Sequence, residues 1–365
     1  MKNKAEAVYV HIPFCRSICS YCDFCKMHYN EEMVDSYLDA LIKEISMNYQ
    51  GEVVKSLYIG GGTPSCLPPR QLNRLFNFLE VIKKDENTEF TIECNIEDIE
   101  EEKLEIFKKY GINRLSIGIE SFDKDNIEFL GRRQVTDIFI RFRKLREMGF
   151  NNINVDLIYG LPNTYLHYLN EDLDNLLMLD PEHISTYSLQ IEKNTKLHID
   201  GVQRIDEEVD NDMYNLIRKR LEGRGYNHYE ISNFAKPGYQ SVHNRNYWEN
   251  GKYYGFGLGA SSFIGETRMT NTRGINSYLA GKYLYEAELI DEKANRDYEF
   301  MLGLRLSSGI NKKNFLKKFK INVTEVGNVA KLIEKGMLIE EKDRIYVPKD
   351  KWYILNEILI QLEDI

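Results

Sequence analysis

The stretch CRSICSYCDFC places Cys15, Cys19, Cys22 and Cys25, four of six cysteines in a 365-residue chain, on one short loop. Thiolates spaced C-x3-C-x2-C-x2-C can hold zinc or an iron–sulfur cluster. Structural zinc sites often join two C-x-x-C knuckles that lie far apart in sequence. Four thiols on one loop curl more readily around a cube of iron and sulfur. The start, MKNKAEAVYVHIPFC, has no long apolar run, so the expectation is no signal peptide and a cytoplasmic protein. In a reducing compartment a cysteine cluster binds metal or reacts more often than it forms disulfides. Cys66 and Cys94 stand alone and read as small buried residues.

Such a loop needs a scaffold. Six short runs rich in β-branched and aromatic residues read as strands: 7–12, 53–61, 89–94, 114–119, 152–160 and 183–191. Between them, apolar residues recur at helical spacing over 31–49, 69–84, 101–110 and 135–150, and again after the last strand over 206–226. Crossovers of this length allow parallel pairing, so the fold class is α/β. Six units suit a partial (β/α)6 barrel, with a doubly wound sheet as the alternative. The C-terminal stretch reads as helices, a short hairpin and a last helix, a small winged-helix-like domain. Three units follow: a barrel over 1–230, a connecting segment over 231–292, and a helical domain over 293–365; the stretch 229–262, rich in Gly and Tyr, reads as a mobile loop region. The net charge of −9 argues against nucleic-acid binding, and the last unit is nearly balanced, with 14 basic against 11 acidic residues over 293–365. No apolar run approaches membrane-spanning length.

In parallel β/α folds the C-terminal strand ends build the site. The six predicted strands deliver to that rim His11 and the cysteine loop, Gly60-Gly61-Gly62-Thr63-Pro64, Glu93-Cys94, Glu120, Asp156 with Gly160, and Gln190. Each alone could be a turn or a surface charge, but together they form one site. The glycine run lets backbone approach a ligand closely, and it lacks the Gly-Lys-Ser/Thr of a phosphate loop.

The subset Cys15-x3-Cys19-x2-Cys22 resembles the signature of the radical S-adenosylmethionine (SAM) family. The segments YVHIPFC (9–15), GGGTP (60–64), RLSIG (114–118) and DLIYGLP (156–162) look like the oxygen-independent coproporphyrinogen III dehydrogenase (HemN) group and its relatives, the HemW-type haem chaperones. The likeness spans nearly the whole chain. It implies a [4Fe-4S] cluster whose three irons are held by Cys15, Cys19 and Cys22, with the fourth iron open to the amino and carboxylate groups of SAM. It also implies SAM contacts from Tyr9, Tyr21, Gly61, Gly62, Thr63, Glu93, Glu120, Arg132 and Asp156. Glu93 would grip a ribose or amino nitrogen, and Arg132 could pair bidentately with a carboxylate, its plainer alternative being a solvated arginine. Position 120 is usually Gln in the family, and an ionised Glu accepts hydrogen bonds but does not donate them. Ile96 stands where Pro is expected.

Three features separate the two relatives. Tyr9 stands almost at the start, where the dehydrogenase is expected to carry an extension. The fourth cysteine is Cys25 and position 24 is Phe, whereas the dehydrogenase has cysteine two residues after the third. His243-Asn-Arg-Asn-Tyr247-Trp248 resembles the H-N-x-x-Y-W motif of the chaperones. Histidine is a good haem ligand, and Tyr247 and Trp248 offer flat faces to a porphyrin; otherwise His243 would cap a turn and Trp248 would fill the core. The resemblance favours a haem chaperone that binds the cluster, SAM and haem through His243, and hands haem to haemoprotein acceptors such as respiratory enzymes. It implies no catalytic residue, an electron donor such as flavodoxin or ferredoxin if SAM is cleaved, and a homodimer. The enzyme alternative is coproporphyrinogen III oxidase/dehydrogenase of porphyrin biosynthesis. A remoter one is a zinc-stabilised interaction protein.

Overall fold

The computed structural model describes residues 4–162 and 166–362. Six parallel strands, β1 (Ala7–Ile12), β2 (Ser56–Gly61), β3 (Glu89–Asn95), β4 (Arg114–Glu120), β5 (Ile153–Tyr159) and β6 (His183–Ser188), lie in sequence order. Helices α1 (Glu31–Asn48), α2 (Pro69–Leu79), α3 (Glu101–Lys109), α4 (Ile138–Glu147) and α5 (Leu166–Leu179) form the five crossovers. The strands are buried almost continuously, as parallel strands under helices are. Local chemistry starts the helices. Asn30 caps α1 by accepting from Met33 N–H, with Glu31 and Glu32 in the first turn, and Pro69 opens α2. The sequence reading named no helix between β5 and β6, although Leu169, Leu173 and Leu176 form the buried stripe of α5. This is a partial (β/α)6 barrel, with a small C-terminal helical, winged-helix-like domain.

After α6 (Glu207–Glu222), β7 (Asn227–Glu230) and β8 (Asn233–Ala235) extend the sheet, β8 antiparallel to β6 and β7 antiparallel to β8. On the other side, α7 (Val242–Trp248) leads to β9 (Tyr253–Phe256), which pairs parallel to β1. Then β10 (Ser261–Ile264), β11 (Thr267–Asn271) and β12 (Leu284–Leu289) follow antiparallel. The stretch expected to be a loop region therefore carries β8, α7 and β9 and belongs to one 12-stranded sheet. Buried polar contacts bind it to α1. Glu44 accepts from Gly257 N–H at 2.8 Å and from Asn271 Nδ2 at 2.5 Å, and Leu258 N–H donates to Tyr37 OH at 3.0 Å. A buried carboxylate needs such partners.

Beyond α8 (Glu292–Gly303), helices at Lys312–Phe319, Val329–Glu334 and Leu355–Leu362 surround a three-stranded sheet in which Arg344–Tyr346 is central. Trp352 anchors this unit to the barrel. It is buried, donates to Val347 O at 2.9 Å and meets the His228 ring of β7 at a centroid distance of 4.4 Å. The unit thus packs against the strand at one edge of the large sheet.

Candidate functional site

The cysteine loop leaves β1 and is pinned at both ends. Met27 N–H donates to Pro13 O at 2.7 Å and Tyr29 N–H to Cys15 O at 2.8 Å. Its middle is tied down where Ser20 N–H donates to Leu130 O at 2.9 Å. Cys15, Cys19 and Cys22 all face a cavity of about 410 Å³ at the C-terminal ends of the strands. Tyr21, Gly61, Gly62, Thr63, Glu93, Glu120, Arg132 and Asp156 line the same cavity with Ser185, so strands β2 to β6 and the loop after β1 all contribute to it.

The glycines have a tighter reason than ligand approach alone. A Cβ on Gly60 would fall 2.7 Å from Glu93 Oε1, and one on Gly61 would fall 2.7 Å from the His11 ring. On Gly62 it would fall 2.8 Å from Cys15 Sγ. Gly61 also has φ +124, a conformation that side chains disfavour. The loop is thus glycine because the protein's own side chains press on it. Glu93 holds its backbone, accepting from Gly61 N–H at 2.9 Å and from Tyr58 OH at 2.8 Å. Burial pushes the Glu93 carboxyl up to about 7 despite those two bonds.

On the opposite wall Arg132 is already paired. One guanidinium nitrogen donates to Glu120, and the other donates to Asn95 Oδ1 at 2.9 Å and Gly118 O at 3.2 Å. Tyr21 OH adds a bond to Glu120 at 3.3 Å. Arg132 is thus a buried, structured cation, and not the solvated one of the plainer reading. Glu120 sits at φ +68 where the β4–β5 register shifts, which turns its carboxylate toward the cavity. Asp156 accepts from Asn154 Nδ2 at 2.8 Å.

The three thiols line one cavity, and thiolates are the ligands that iron–sulfur clusters take. Burial raises the Cys15 thiol to about 11 and raises Cys19 and Cys22 also, so loading iron displaces protons. Cys66 and Cys94 are buried and free, as expected of them.

Tyr9, Cys25 and His243 lie elsewhere. They line a second cavity of about 520 Å³ next to the first, with which it shares Asp23, Phe24, Tyr58, Glu93 and Asn244. Tyr9 OH bonds His11 Nδ1 at 2.9 Å, and His11 Nε2 donates to Cys25 O at 2.7 Å. His243 is buried and stacks on Tyr58 at 4.9 Å. Its two nitrogens bond Ser56 Oγ and Tyr247 OH, each at 2.9 Å. It is not a turn cap; it sits in the first turn of α7, whose leading N–H groups bond Glu89. Burial lowers its pKa to about 3, so the ring is neutral. Trp248 lies under the Arg305 guanidinium, 5.8 Å from it.

The sequence reading passed over Ser116, Asn154 and Ser185, which line the first cavity. Their signal was present: each is a polar residue inside a buried strand, on the face that also carries Gly118 and Asp156. Nothing in the sequence singled out Arg268 or Arg273, which reach the second cavity from β11 and the loop after it.

Comparison with known proteins agrees with this geometry. Residues 9–176 match the Radical SAM superfamily. The chain is 36% identical to heme chaperone HemW of Bacillus subtilis, over 97% of this chain and 98% of that protein. It is 34% identical to heme chaperone HemW of Lactococcus lactis, over 98% and 97%. The fold matches the solved structure of Escherichia coli coproporphyrinogen III oxidase (HemN), a radical SAM enzyme, with TM-score 0.87 at 23% identity, covering 99% of this chain and 90% of that one. A cysteine triad on the rim of this barrel, with full-length likeness of this degree, means that the chain belongs to the HemW family of radical SAM proteins.

Proposed function

We propose that the protein is a haem chaperone: it holds a [4Fe-4S] cluster on Cys15, Cys19 and Cys22, binds SAM in the adjoining cavity, and binds haem for delivery to haemoproteins. The observation that carries this reading is the division of the thiols. Three face the cavity lined by the residues expected to contact SAM other than Tyr9, and Cys25 faces the other. When bound, the cluster supplies an open iron for SAM and an electron for its reduction. The chain's own residues orient the ligand. Glu93 fixes the Gly61 backbone, Tyr21 and Glu120 set the Arg132 head, and Asn154 aims Asp156. The names of the full-length relatives support the haem half. Haem would enter beside His243, where Tyr247 OH must leave Nε2 before iron can take it.

The test is haem titration of anaerobically reconstituted protein, followed by absorption, for wild type and His243→Ala. Wild type should bind haem and His243→Ala should bind it at least roughly tenfold more weakly. Equal binding removes His243 as the ligand. Conversion of coproporphyrinogen III to protoporphyrinogen with SAM and a reductant would replace the chaperone reading with the dehydrogenase one.

A further inference from the structure

The second cavity has a composition of its own. Its inner wall is made of rings, Tyr9, Tyr58, Tyr247 and Tyr253 with His11 and His243, and two guanidinium groups reach it, Arg268 and Arg273. A space of about 520 Å³ lined by rings and reached by two cations suits a flat apolar ligand with anionic groups on one side.

The two arginines differ from several others in this protein. Among the described residues neither has a carboxylate within ion-pair distance, whereas Arg132, Arg146 and Arg220 each do. Arg268 is held by other means. Its head stacks on Phe263 and Tyr298, 4.2 Å and 4.0 Å from the ring centres, and one nitrogen donates to Asn250 Oδ1 at 3.2 Å. Its Nε is buried without a hydrogen-bond partner. Arg273 is exposed and donates to the Asp23 carbonyl at 3.0 Å. The Asp23 and Glu93 carboxylates also line the cavity. Glu93, however, is turned to Tyr58 and Gly61, and Asp23 pairs with neither arginine. Two guanidinium groups set in place and lacking counter-charges are ready acceptors of carboxylates.

The structure assigns the second cavity as a site for a planar aromatic dicarboxylate, with Arg268 and Arg273 gripping its carboxylates while the rings pack its faces. This rests on the haem reading above and specifies it: the carboxylates are the two propionates, and the arginines select the free-acid porphyrin.

The test uses reconstituted full-length protein titrated with haem and with haem dimethyl ester, which keeps iron and ring and lacks the carboxylates. Variants are Arg273→Gln, on an exposed side chain outside the core, and Arg268→Gln/Arg273→Gln. Wild type should bind haem at least roughly tenfold more tightly than the ester, and Arg273→Gln should narrow that ratio several-fold. The double variant should bring it close to one, with ester affinity unchanged. A wild type that binds both porphyrins equally, or variants that keep the full ratio, overturn the clamp and leave the haem reading standing. A wild type that binds neither porphyrin sinks the haem reading and the clamp with it.

Discussion

Gly62 lies so close against Cys15 that a Cβ there would stand 2.8 Å from the cysteine sulfur and 2.8 Å from the Phe14 carbonyl. A backbone carbonyl cannot step aside as a flexible side chain does. Gly62→Ala should therefore push the first thiol off its position and cost roughly 1–3 kcal/mol of stability, the usual range for overpacking. Iron bound per chain after reconstitution should fall by more than half. Gly274→Ala is the control, since the nearest atom to its Cβ is 3.5 Å away. If both variants load iron like wild type, Gly62 does not shape the cluster site.

Cys25 lines the second cavity, whereas the other three thiols of its loop line the first. It packs against Gly259, whose Cβ would lie 3.0 Å from Cys25 Cβ. Cys25→Ser should keep a four-iron cluster by iron and sulfide analysis and by the spectrum of the reduced state. Cys15→Ser, Cys19→Ser and Cys22→Ser should each lose it. Loss of the cluster in Cys25→Ser would refute the three-plus-one division.

Much of this was legible in the sequence because the parallel strands are buried on both faces and announce themselves as apolar runs. β1 falls on the residues read as a strand, and β3 and β4 differ at one end by a single residue. The cysteine loop and the rim residues followed from strand order. The region around His243 was not legible for a physical reason. Its strands carry glycines that read as loop, yet a Cβ on Gly255 would lie 1.8 Å from Ser261 O, so glycine there permits close strand contact. The position of Tyr9 was beyond reach for another reason. Its neighbours in space are His11 on its own strand, Tyr58 on β2 and His243 on α7. Only the sheet order, with β9 beside β1, brings α7 to that face.

Glu93 sets a pH dependence. Its carboxyl titrates at about 7 in the folded protein against an ordinary 4.5. Between those values the unfolded chain has released the proton while the folded one keeps it. Stability is therefore full below about pH 4.5 and falls as pH rises toward 7, by an amount on the order of 3 kcal/mol from this group. Glu93→Gln should remove that portion of the slope. The amide can accept from Gly61 N–H and donate to the Tyr58 oxygen, so the wall stays satisfied. Denaturant melts of the metal-free protein at pH 5 and pH 8 measure it. Equal slopes in wild type and variant would show that Glu93 is ionised throughout.

Tyr247 guards His243. Its hydroxyl lies 2.9 Å from Nε2, while Ser56 engages Nδ1 at the same distance. Iron can coordinate Nε2 only after the phenol leaves, and breaking such a bond costs about 1 kcal/mol net. Tyr247→Phe keeps the ring, which meets the His243 ring edge-on at 4.9 Å, and deletes the competing hydroxyl. Haem should then bind about fivefold more tightly, since the tyrosine no longer has to be displaced. His243→Ala/Tyr247→Phe should bind no better than His243→Ala alone, because the gain acts through the imidazole. Titration of the four proteins with haem, read by absorption, forms a double-mutant cycle. If Tyr247→Phe weakens binding instead, the hydroxyl itself meets the ligand, and the phenol would have to be counted among the groups that hold haem.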